Sequence, residues 1–203
     1  MIGIKALKNE FNGDPCIVMG TGPSIGAVLN RPKIDRFTTI GVNDISRYYM
    51  PTYLVVTDNF IDSNEYNVKI NRIRATSATA VFDHQRRSWP NIAHTIYYDF
   101  EALHTHDPAA IFTRDHIPAS QTTTEIAIGI AVYLGFQRIG VIGFDLFGHP
   151  CEKHADKINQ DMAKLAVYAE SNNQFIYNLS QDTLVDAFPT LLIDEYIDRY
   201  GGA

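Results

Sequence analysis

One stretch near the start of the chain, Cys16 to Ser24, constrains the fold more than any other. Its sequence is CIVMGTGPS: a short apolar run, a glycine turn, and then Pro23 and Ser24, where a helix capped by Ser24 is expected to begin. Glycine has no side chain to keep a ligand away from the backbone, and a helix start presents unpaired N–H groups that suit a phosphate. The stretch therefore fits either a phosphate-binding loop or an ordinary strand-to-helix turn.

Apolar runs of strand length recur along the chain and are separated by segments of helical character. Strands are predicted at residues 15–20, 37–42, 53–57, 78–82, 95–98, 138–143 and 174–178. Helices are predicted at residues 24–30, 62–73, 126–134, 155–171 and 190–199. Continuously apolar strands that alternate with helices indicate a mainly parallel sheet with helices on both faces. The predicted fold class is therefore α/β, with a single Rossmann-like domain over residues 1–203.

Polar residues follow several of these strands, and in such sheets ligands bind beyond the carboxyl ends of the strands. The candidate site at this edge consists of Gly20, Thr21, Gly22, Pro23, Ser24, Asn43, Thr57, Asp58, Gly143 and Asp145. The amide of Asn43 can read a nucleobase or ribose edge, or Asn43 can be a turn residue. Asp58 and Asp145 can bind Mg²⁺ or a ribose hydroxyl, or they can cap the next segment.

Three threonines, Thr122, Thr123 and Thr124, begin a helix that is apolar almost all round and belongs in the interior. One of them is expected to cap the helix, and their hydroxyls and N–H groups can also meet a phosphate. His154 stands just before the helix at 155–171 and is the candidate general base, with His149 as its local competitor. The spacing of the nearby histidines and Cys151 fits no standard zinc pattern, so no metal site is expected.

Composition excludes some classes of function. A net charge of −6 argues against broad binding to nucleic acid, and no apolar run approaches the length of a membrane span. The first residues lack the apolar core of a signal peptide, and two cysteines do not form a disulfide framework, which together predict a reducing, cytoplasmic setting. Residues 99–120 show no clear periodicity and are predicted to be a lid or substrate loop. The sequence allows a homo-oligomer without specifying one.

Five segments in this order resemble the small bacterial CMP-sialic-acid-dependent sialyltransferases and the related archaeal 6-hydroxymethylpterin diphosphokinase-like proteins. They are GTGPS at 20–24, GVND at 41–44, VVTD at 55–58, the threonines at 122–124 before a helix ending in YLGF, and IGVIGFD at 139–145. The similarity covers residues 14–190, and it rests on the order and spacing of these five segments. It implies a GT-A-like domain and a glycosyltransferase that uses a nucleotide-activated sugar of the CMP-sialic-acid type, with no metal or other cofactor.

The resemblance also implies roles for single residues. In the sialyltransferases, the glycine loop and the asparagine after the second strand bind the cytidine nucleotide, which corresponds to Gly20–Ser24 and Asn43. The hydroxyl residues before the buried helix line the same site, which corresponds to Thr122–Thr124. A histidine before the next-to-last helix is the base that acts on the acceptor hydroxyl, and His154 matches it by position. The implied acceptor is a small molecule or a glycan.

Two parts of the chain depart from that family. Thr21 stands between the two glycines where the family has asparagine. Leu146 and Phe147 stand where the family has tyrosines that hold the leaving phosphate. Phenylalanine has no hydroxyl to donate, so the departing charge needs another partner, such as N–H groups at a helix end or Arg114.

Two other functions are consistent with the same residues. A pterin-type diphosphokinase would use ATP and Mg²⁺, with Asp58 and Asp145 as metal ligands and aromatic side chains stacked on the pterin ring. A nucleotide-binding protein without catalysis is the third interpretation, and the missing tyrosines argue for it. Dependence on magnesium separates the transferase from the diphosphokinase.

Overall fold

The computed structural model describes residues 2–29, 31–57, 71, 77–83, 95–103, 106–119 and 121–202. The strands in this part of the chain are β1 (Ile2–Gly3), β2 (Pro15–Met19), β3 (Thr38–Val42), β4 (Tyr53–Val56), β5 (Ala80–Asp83), β6 (Thr95–Tyr97), β7 (Phe100–Ala102), β8 (Ile117–Ala119), β9 (Arg138–Ile142) and β10 (Phe175–Asn178). The α-helices are α1 (Pro108–Thr113), α2 (Thr123–Leu134), α3 (Ala155–Ser171) and α4 (Ile193–Tyr200). Short 3₁₀ helices lie at Ile4–Leu7, Pro23–Ala27, Pro32–Arg36, Asn43–Arg47 and Glu152–His154.

Eight strands form one parallel sheet in the order β1-β6-β5-β4-β3-β2-β9-β10. Strand β2 lies between β3 and β9, and its Val18 is in register with Ile40 of β3 and Val141 of β9. The predicted strands at 15–20, 37–42, 53–57, 78–82, 95–98, 138–143 and 174–178 all correspond to strands of this sheet. The prediction of a Rossmann-like, mainly parallel α/β sheet is therefore confirmed.

Both faces of the sheet are covered, as predicted. Side chains alternate along β2, so that Cys16 and Val18 join the apolar cluster that contains α2 and α3. Ile17 and Met19 point to the other face, where three of the 3₁₀ helices and α4 contribute a second cluster around Tyr196. The hydroxyl of Tyr196 reaches the carbonyl oxygen of Cys16 at 2.8 Å, which ties α4 to the sheet.

The central helix α2 is buried along its whole length, because every residue from Thr123 to Leu134 is apolar, small or hydrogen-bonded at the helix start. Gly135 ends it with φ of 92°, a conformation that costs glycine little.

Among the described residues, no helix is long and apolar enough to cross a bilayer. Cys16 is a buried thiol and Cys151 is a partly buried one.

The helix predicted at 24–30 is instead the five-residue 3₁₀ helix Pro23–Ala27. Gly26 lowers the helix propensity of this segment, and Pro32 follows too soon for a regular α-helix to form. The helix predicted at 62–73 lies, apart from residue 71, outside the described residues.

The prediction of one long loop over 99–120 is wrong, because β7, α1 and β8 lie within it. β7 and β8 pair in parallel, and Ile111 and Ile117 are fully buried against the core that contains α2. Three-residue strands and a six-residue helix are too short to give a periodic pattern. The pair Asp107–Pro108 was a usable helix-start signal, since the Asp107 side chain accepts the Ala109 N–H at 2.8 Å. That this segment covers a substrate stays a prediction.

Candidate functional site

The strand order of the large sheet reverses between β2 and β9. Strands β3 to β6 follow β2 on one side, and β9 and β10 lie on the other. In open α/β sheets, ligands bind outside the carboxyl ends of the strands at such a reversal. Gly20 and Gly143 directly follow β2 and β9, while Asn43 and Thr57 follow β3 and β4. The predicted strand-end residues therefore lie along the edge of the sheet that contains this reversal.

The turns after β2 and β9 touch each other through their backbones. The Gly20 N–H donates to the Ile142 carbonyl oxygen at 2.7 Å, and the Gly22 N–H donates to that of Gly143 at 2.8 Å. A Cβ at position 20 would lie 2.2 Å from the Gly143 oxygen, and Gly143 itself has φ of 75°. Glycine at positions 20 and 143 is therefore explained by contact between two segments of the protein.

Ser24 and Asp145 join the same two turns. The Asp145 carboxylate accepts the Ser24 backbone N–H at 2.7 Å and the Ser24 hydroxyl at 2.6 Å. The Ser24 oxygen in turn accepts the Gly143 N–H at 2.9 Å and the Ser180 hydroxyl at 2.7 Å. This network holds the ends of β2, β9 and β10 together at one point.

The network changes two expectations about Ser24. The N-cap of the 3₁₀ helix is Gly22, with no side-chain capping bond, so the prediction that Ser24 caps this helix is wrong. The Ser24 N–H, at the predicted phosphate position, is already bonded to Asp145, whose side chain is buried. An anion at this helix start would have to displace that carboxylate, which leaves the start of α2 as the better place for a phosphate.

The start of α2 is built by a capping box. The Thr122 hydroxyl accepts the Glu125 N–H at 3.2 Å, and the Glu125 carboxylate accepts the N–H groups of Thr122 at 2.7 Å and Gln121 at 2.8 Å. The expected capping role of the threonines is therefore confirmed for Thr122. The N–H groups of Thr123 and Thr124 have no partner within the helix, and they carry the partial positive charge of its N-terminus.

Thr123 connects the start of α2 to the ends of β3 and β4. Its hydroxyl accepts a hydrogen bond from the Asn43 side-chain amide at 3.0 Å and is also hydrogen-bonded to the Thr57 hydroxyl. Asn43 has φ of 45°, a left-handed conformation that asparagine tolerates, as expected for a turn residue. The predicted neighbour Asp58 lies outside the described residues.

A pocket of about 180 Å³, here called the α2-side pocket, lies between the turn after β2, the start of α2 and the loop after β9. Seven of the predicted nucleotide-binding residues line it: Thr21, Gly22, Pro23, Thr122, Thr124, Gly143 and Asp145. The loop after Asp145 adds Phe147 and His149. Gly20, Ser24, Asn43, Thr57 and Thr123 support these walls through the bonds described above. Nucleotide binding by this set stays a prediction.

A second pocket of about 530 Å³ adjoins the first and shares Pro23, Asp145 and Phe147 with it. Here it is called the β10-side pocket, and its other polar lining residues are Ser24, Arg31, Ser180, Gln181, Asp182 and Asp194. The sequence interpretation missed this side of the site. Ser180 follows the predicted strand at 174–178 by two residues, so the strand-end rule would have found it.

Two histidines flank the loop after β9, and they differ in position. His149 lines the α2-side pocket, and its Nδ1 accepts the Cys151 N–H at 3.1 Å, so the neutral ring carries its proton on Nε2. His154 is half-buried at the end of the 3₁₀ helix that precedes α3, outside the lining of that pocket. Among the described residues, no three His, Cys, Asp or Glu side chains are grouped to hold a metal ion.

Phe147 stands where the family has a tyrosine, and Arg114 is the side chain suggested to hold the leaving charge in its place. The two residues lie in different pockets. Phe147 lines both pockets, whereas Arg114 lies in a different pocket with Lys5 and His116. The Arg114 guanidinium is paired with the Glu101 carboxylate. The suggestion that Arg114 holds the leaving charge is therefore not consistent with its position, whereas His149 lines the α2-side pocket and has a ring N–H that can be donated.

Glu125 has a carboxyl group with a raised pKa, and its side chain is completely buried. Burial raises the pKa of its carboxyl from 4.5 to about 7, against the lowering effect of the N–H donors of Gln121 and Thr122, and the charge of Asp161 adds to the rise. Oε1 of Glu125 and Oδ2 of Asp161 are both buried and have no hydrogen-bond partner among the described residues. The buried oxygens thus favour a protonated Glu125 near neutral pH.

The raised pKa of Glu125 predicts a specific pH dependence of stability. The folded protein keeps this proton up to about pH 7, while the unfolded chain releases it near pH 4.5, so stability falls as pH rises between these values. The Glu125→Gln variant keeps the capping geometry and cannot titrate. Relative to wild type, its free energy of unfolding should therefore rise by about 3 kcal/mol from pH 4.5 to pH 8.

Urea unfolding at several pH values measures this difference. The exposed Glu170 on α3 provides the matched control, and Glu170→Gln should follow wild type across the range. A difference between Glu125→Gln and wild type that stays constant with pH would contradict the assignment.

No protein-family model and no curated protein sequence matches this chain. Solved structures do match it at low sequence identity. The Maf glycosyltransferase from Magnetospirillum magneticum AMB-1 superposes with a TM-score of 0.63 at 16% identity, over 89% of this chain and 34% of that one. This chain thus spans about a third of the length of the Maf glycosyltransferase.

The sialyltransferase Cst-II, a Campylobacter jejuni enzyme, gives a second likeness. One of its variants in complex with CMP superposes with a TM-score of 0.52 at 16% identity, over 88% of this chain and 86% of that one. Another variant with CMP gives 0.50 at 14% identity, over 87% of this chain and 86% of that one. At this level of identity the likeness establishes the fold: the chain has the Rossmann-type architecture of these glycosyltransferases.

Proposed function

We propose that this protein is a glycosyltransferase that takes its sugar from a nucleotide donor and transfers it to an acceptor hydroxyl. The observation that carries the proposal is the α2-side pocket, where the turn after β2, the start of α2 and the loop after β9 meet at the reversal of the strand order. Nucleotides bind at this place in related sheet architectures. Because the two Cst-II structures contain CMP, a CMP-activated sugar is the first donor to consider.

The proposed phosphate position is the start of α2. The N–H groups of Thr123 and Thr124 lie at the positive end of a twelve-residue helix, and Thr124 lines the pocket. Asn43 and Thr57 act on this position indirectly, since their bonds to the Thr123 hydroxyl fix the first turn of α2. The glycine turn serves as the opposite wall.

His149 is the proposed partner of the charge that develops on the leaving nucleotide. Its Nδ1 is held by the Cys151 N–H, so the Nε2 proton can be donated to a phosphate oxygen. This assignment supplies a donor where Phe147 lacks a hydroxyl.

His154 is the proposed general base, as its place before α3 predicts. It would take the proton of the acceptor hydroxyl while that oxygen attacks the anomeric carbon of the donor sugar. The bond from this carbon to the phosphate oxygen breaks, and its electron pair leaves with the nucleotide. The proposal needs no metal in this step. Asp145, a metal ligand in the diphosphokinase alternative, already accepts hydrogen bonds on both carboxylate oxygens from Ser24.

Calorimetric titration with CMP, CDP, UDP, GDP and ATP, each with Mg²⁺ and with EDTA, tests the proposal. We expect CMP to bind equally well in both conditions. Thr124→Val, which removes one hydroxyl at the pocket, should weaken binding by about tenfold, the equivalent of one hydrogen bond. Thr38→Val is the matched control, because Thr38 lies at the amino end of β3, and the pocket lies beyond the carboxyl ends of the strands. Absence of binding by every nucleotide, or binding by ATP with Mg²⁺ alone, would overturn the proposal.

Substitution of the two histidines separates their roles. With a sugar donor built on the nucleotide that the titration identifies, His154→Gln should lower kcat by at least about 100-fold with little change in nucleotide affinity, as expected for a general base. His149→Gln should also weaken nucleotide binding, because its ring contacts the phosphate. Release of free nucleotide from the donor measures both effects. Unchanged kcat in His154→Gln would refute its assignment as the base.

A further inference from the structure

We propose that the β10-side pocket binds a neutral sugar ring, which rests on the proposed glycosyltransferase function and narrows its substrate class. The pocket has a volume of about 530 Å³, within the range of about 300–1,000 Å³ that is usual for small-molecule sites. It shares Pro23, Asp145 and Phe147 with the α2-side pocket. A ring in it would therefore lie next to the proposed phosphate position.

The pocket offers apolar surface of the kind that the C–H face of a sugar ring can cover. The Phe147 side chain is 49% exposed and Leu192 is 51% exposed, so both present apolar surface in the wall of the pocket. An exposed aromatic ring in a pocket wall gains free energy when a ligand covers it, because apolar surface leaves water.

Polar groups beside this surface fit the hydroxyls of a sugar. Gln181 and Asp182 are exposed on the segment that follows β10, and both line the pocket. A glutamine amide can donate and accept, and a carboxylate can accept from one or two hydroxyls. A few polar groups placed next to apolar surface are what orients a small ligand in its site.

The charges in the pocket favour a neutral ligand over an acidic one. Three carboxylates line it, from Asp145, Asp182 and Asp194. Arg31 is the one cationic side chain among the described lining residues, and its Nε and Nη2 donate to the Asp194 carboxylate at 2.7 and 2.8 Å. A ligand carboxylate would thus meet excess negative charge without an available cation. The substrate class inferred for this pocket is a neutral sugar, unlike the acidic sialic acid that the resemblance implies.

Saturation-transfer NMR on the full chain tests this inference with four probes, each with and without saturating CMP. Methyl β-galactoside and N-acetylglucosamine are neutral, and N-acetylneuraminate and glucuronate are acidic. We expect at least one neutral sugar to bind at least tenfold more tightly than either acidic sugar, and Phe147→Ala to weaken that binding at least fivefold. Equal or tighter binding of an acidic sugar, or neutral binding that Phe147→Ala leaves unchanged, would overturn the inference.

Reversal of one charge in the pocket provides an independent test of the inference. Asp182→Lys should increase the affinity for glucuronate at least fivefold by placing a cation in the pocket. Asp198→Lys makes the same charge change on α4, outside the lining of the pocket, and should leave glucuronate binding as in wild type. If both variants raise glucuronate binding equally, the effect is general and the inference fails.

The two proposals fail separately. Sugar binding that responds to Phe147 and Asp182 without any nucleotide binding would overturn the transferase and keep the sugar pocket. Nucleotide binding without any neutral-sugar signal would do the reverse. The origin of the ring follows from competition with a sugar donor built on the nucleotide that the titration identifies: a free neutral sugar that competes with this donor occupies the place of the donor sugar, and one that binds beside it occupies that of the acceptor.

Discussion

The Gly20→Ala variant is expected to lose about 4 kcal/mol or more of its free energy of unfolding, and at ordinary temperatures much of it should be unfolded. A Cβ at position 20 would lie 2.2 Å from the Gly143 carbonyl oxygen and 2.7 Å from its carbonyl carbon. These are backbone atoms of a turn that is itself bonded to the end of β2, so they cannot move aside as a side chain could. Overpacking of a rigid contact costs more than the usual 1–3 kcal/mol, roughly, that a side chain can relieve.

Gly26→Ala is the matched control for this experiment. Gly26 lies six residues further along, in the 3₁₀ helix Pro23–Ala27, and a Cβ there would meet nothing within 4 Å. Alanine reduces the freedom of the unfolded chain, so this variant should be as stable as wild type or slightly more stable. Chemical denaturation of both variants measures the difference. Similar stabilities for the two variants would contradict the close contact between the turns after β2 and β9.

Asp145→Ala should be the second strongly destabilised variant, with a loss of about 4 kcal/mol. The buried carboxylate accepts two hydrogen bonds from Ser24, and bonds to a charged acceptor contribute roughly 1.5–3 kcal/mol each. Its removal also leaves the Ser24 N–H without its partner at the junction of β2, β9 and β10. Because Asp145 and Gly143 line the α2-side pocket, nucleotide affinity should fall together with stability.

A double-mutant cycle with Ser24→Ala isolates the side-chain part of this interaction. Both variants lose the bond between the Ser24 hydroxyl and the Asp145 carboxylate, so the double variant should be more stable than the sum of the single losses predicts, by about 2 kcal/mol. Pairing Asp145→Ala with Thr38→Val, at the far edge of β3, should give additive losses. Additive losses for Ser24 and Asp145 as well would mean that their bond contributes little.

The sheet and its binding edge could be predicted because both depend on local patterns. The apolar runs around Val18, Ile40 and Val141 are continuous, as strands buried on two faces require. Once these strands are parallel, their carboxyl ends must share one edge, and this places Gly20 and Gly143 together without any knowledge of side-chain contacts. The capping box of Thr122 and Glu125 lies within four residues, so it too is visible in the sequence.

The details of the site could not be predicted because they depend on contacts between distant residues. Ser24 and Asp145 are 121 positions apart, and only the close approach of the turns after β2 and β9 makes the serine a bridging residue instead of a cap. Because Asp145 already accepts the Ser24 N–H, we expect the phosphate at the start of α2 instead of at the glycine turn. The position of Phe147 between two pockets also depends on the path of a loop, on which periodicity gives no information.

In the proposed complex, a nucleotide phosphate binds at the start of α2 and not at the start of the 3₁₀ helix Pro23–Ala27. A titration of the ¹⁵N-labelled protein with CMP, followed by backbone amide NMR spectra, tests it most directly. We expect the largest changes at the N–H groups of Thr123 and Thr124, with the Ser24 N–H remaining bonded to Asp145 and little changed. A large change at the Ser24 N–H with none at Thr123 and Thr124 would contradict a phosphate position at the start of α2.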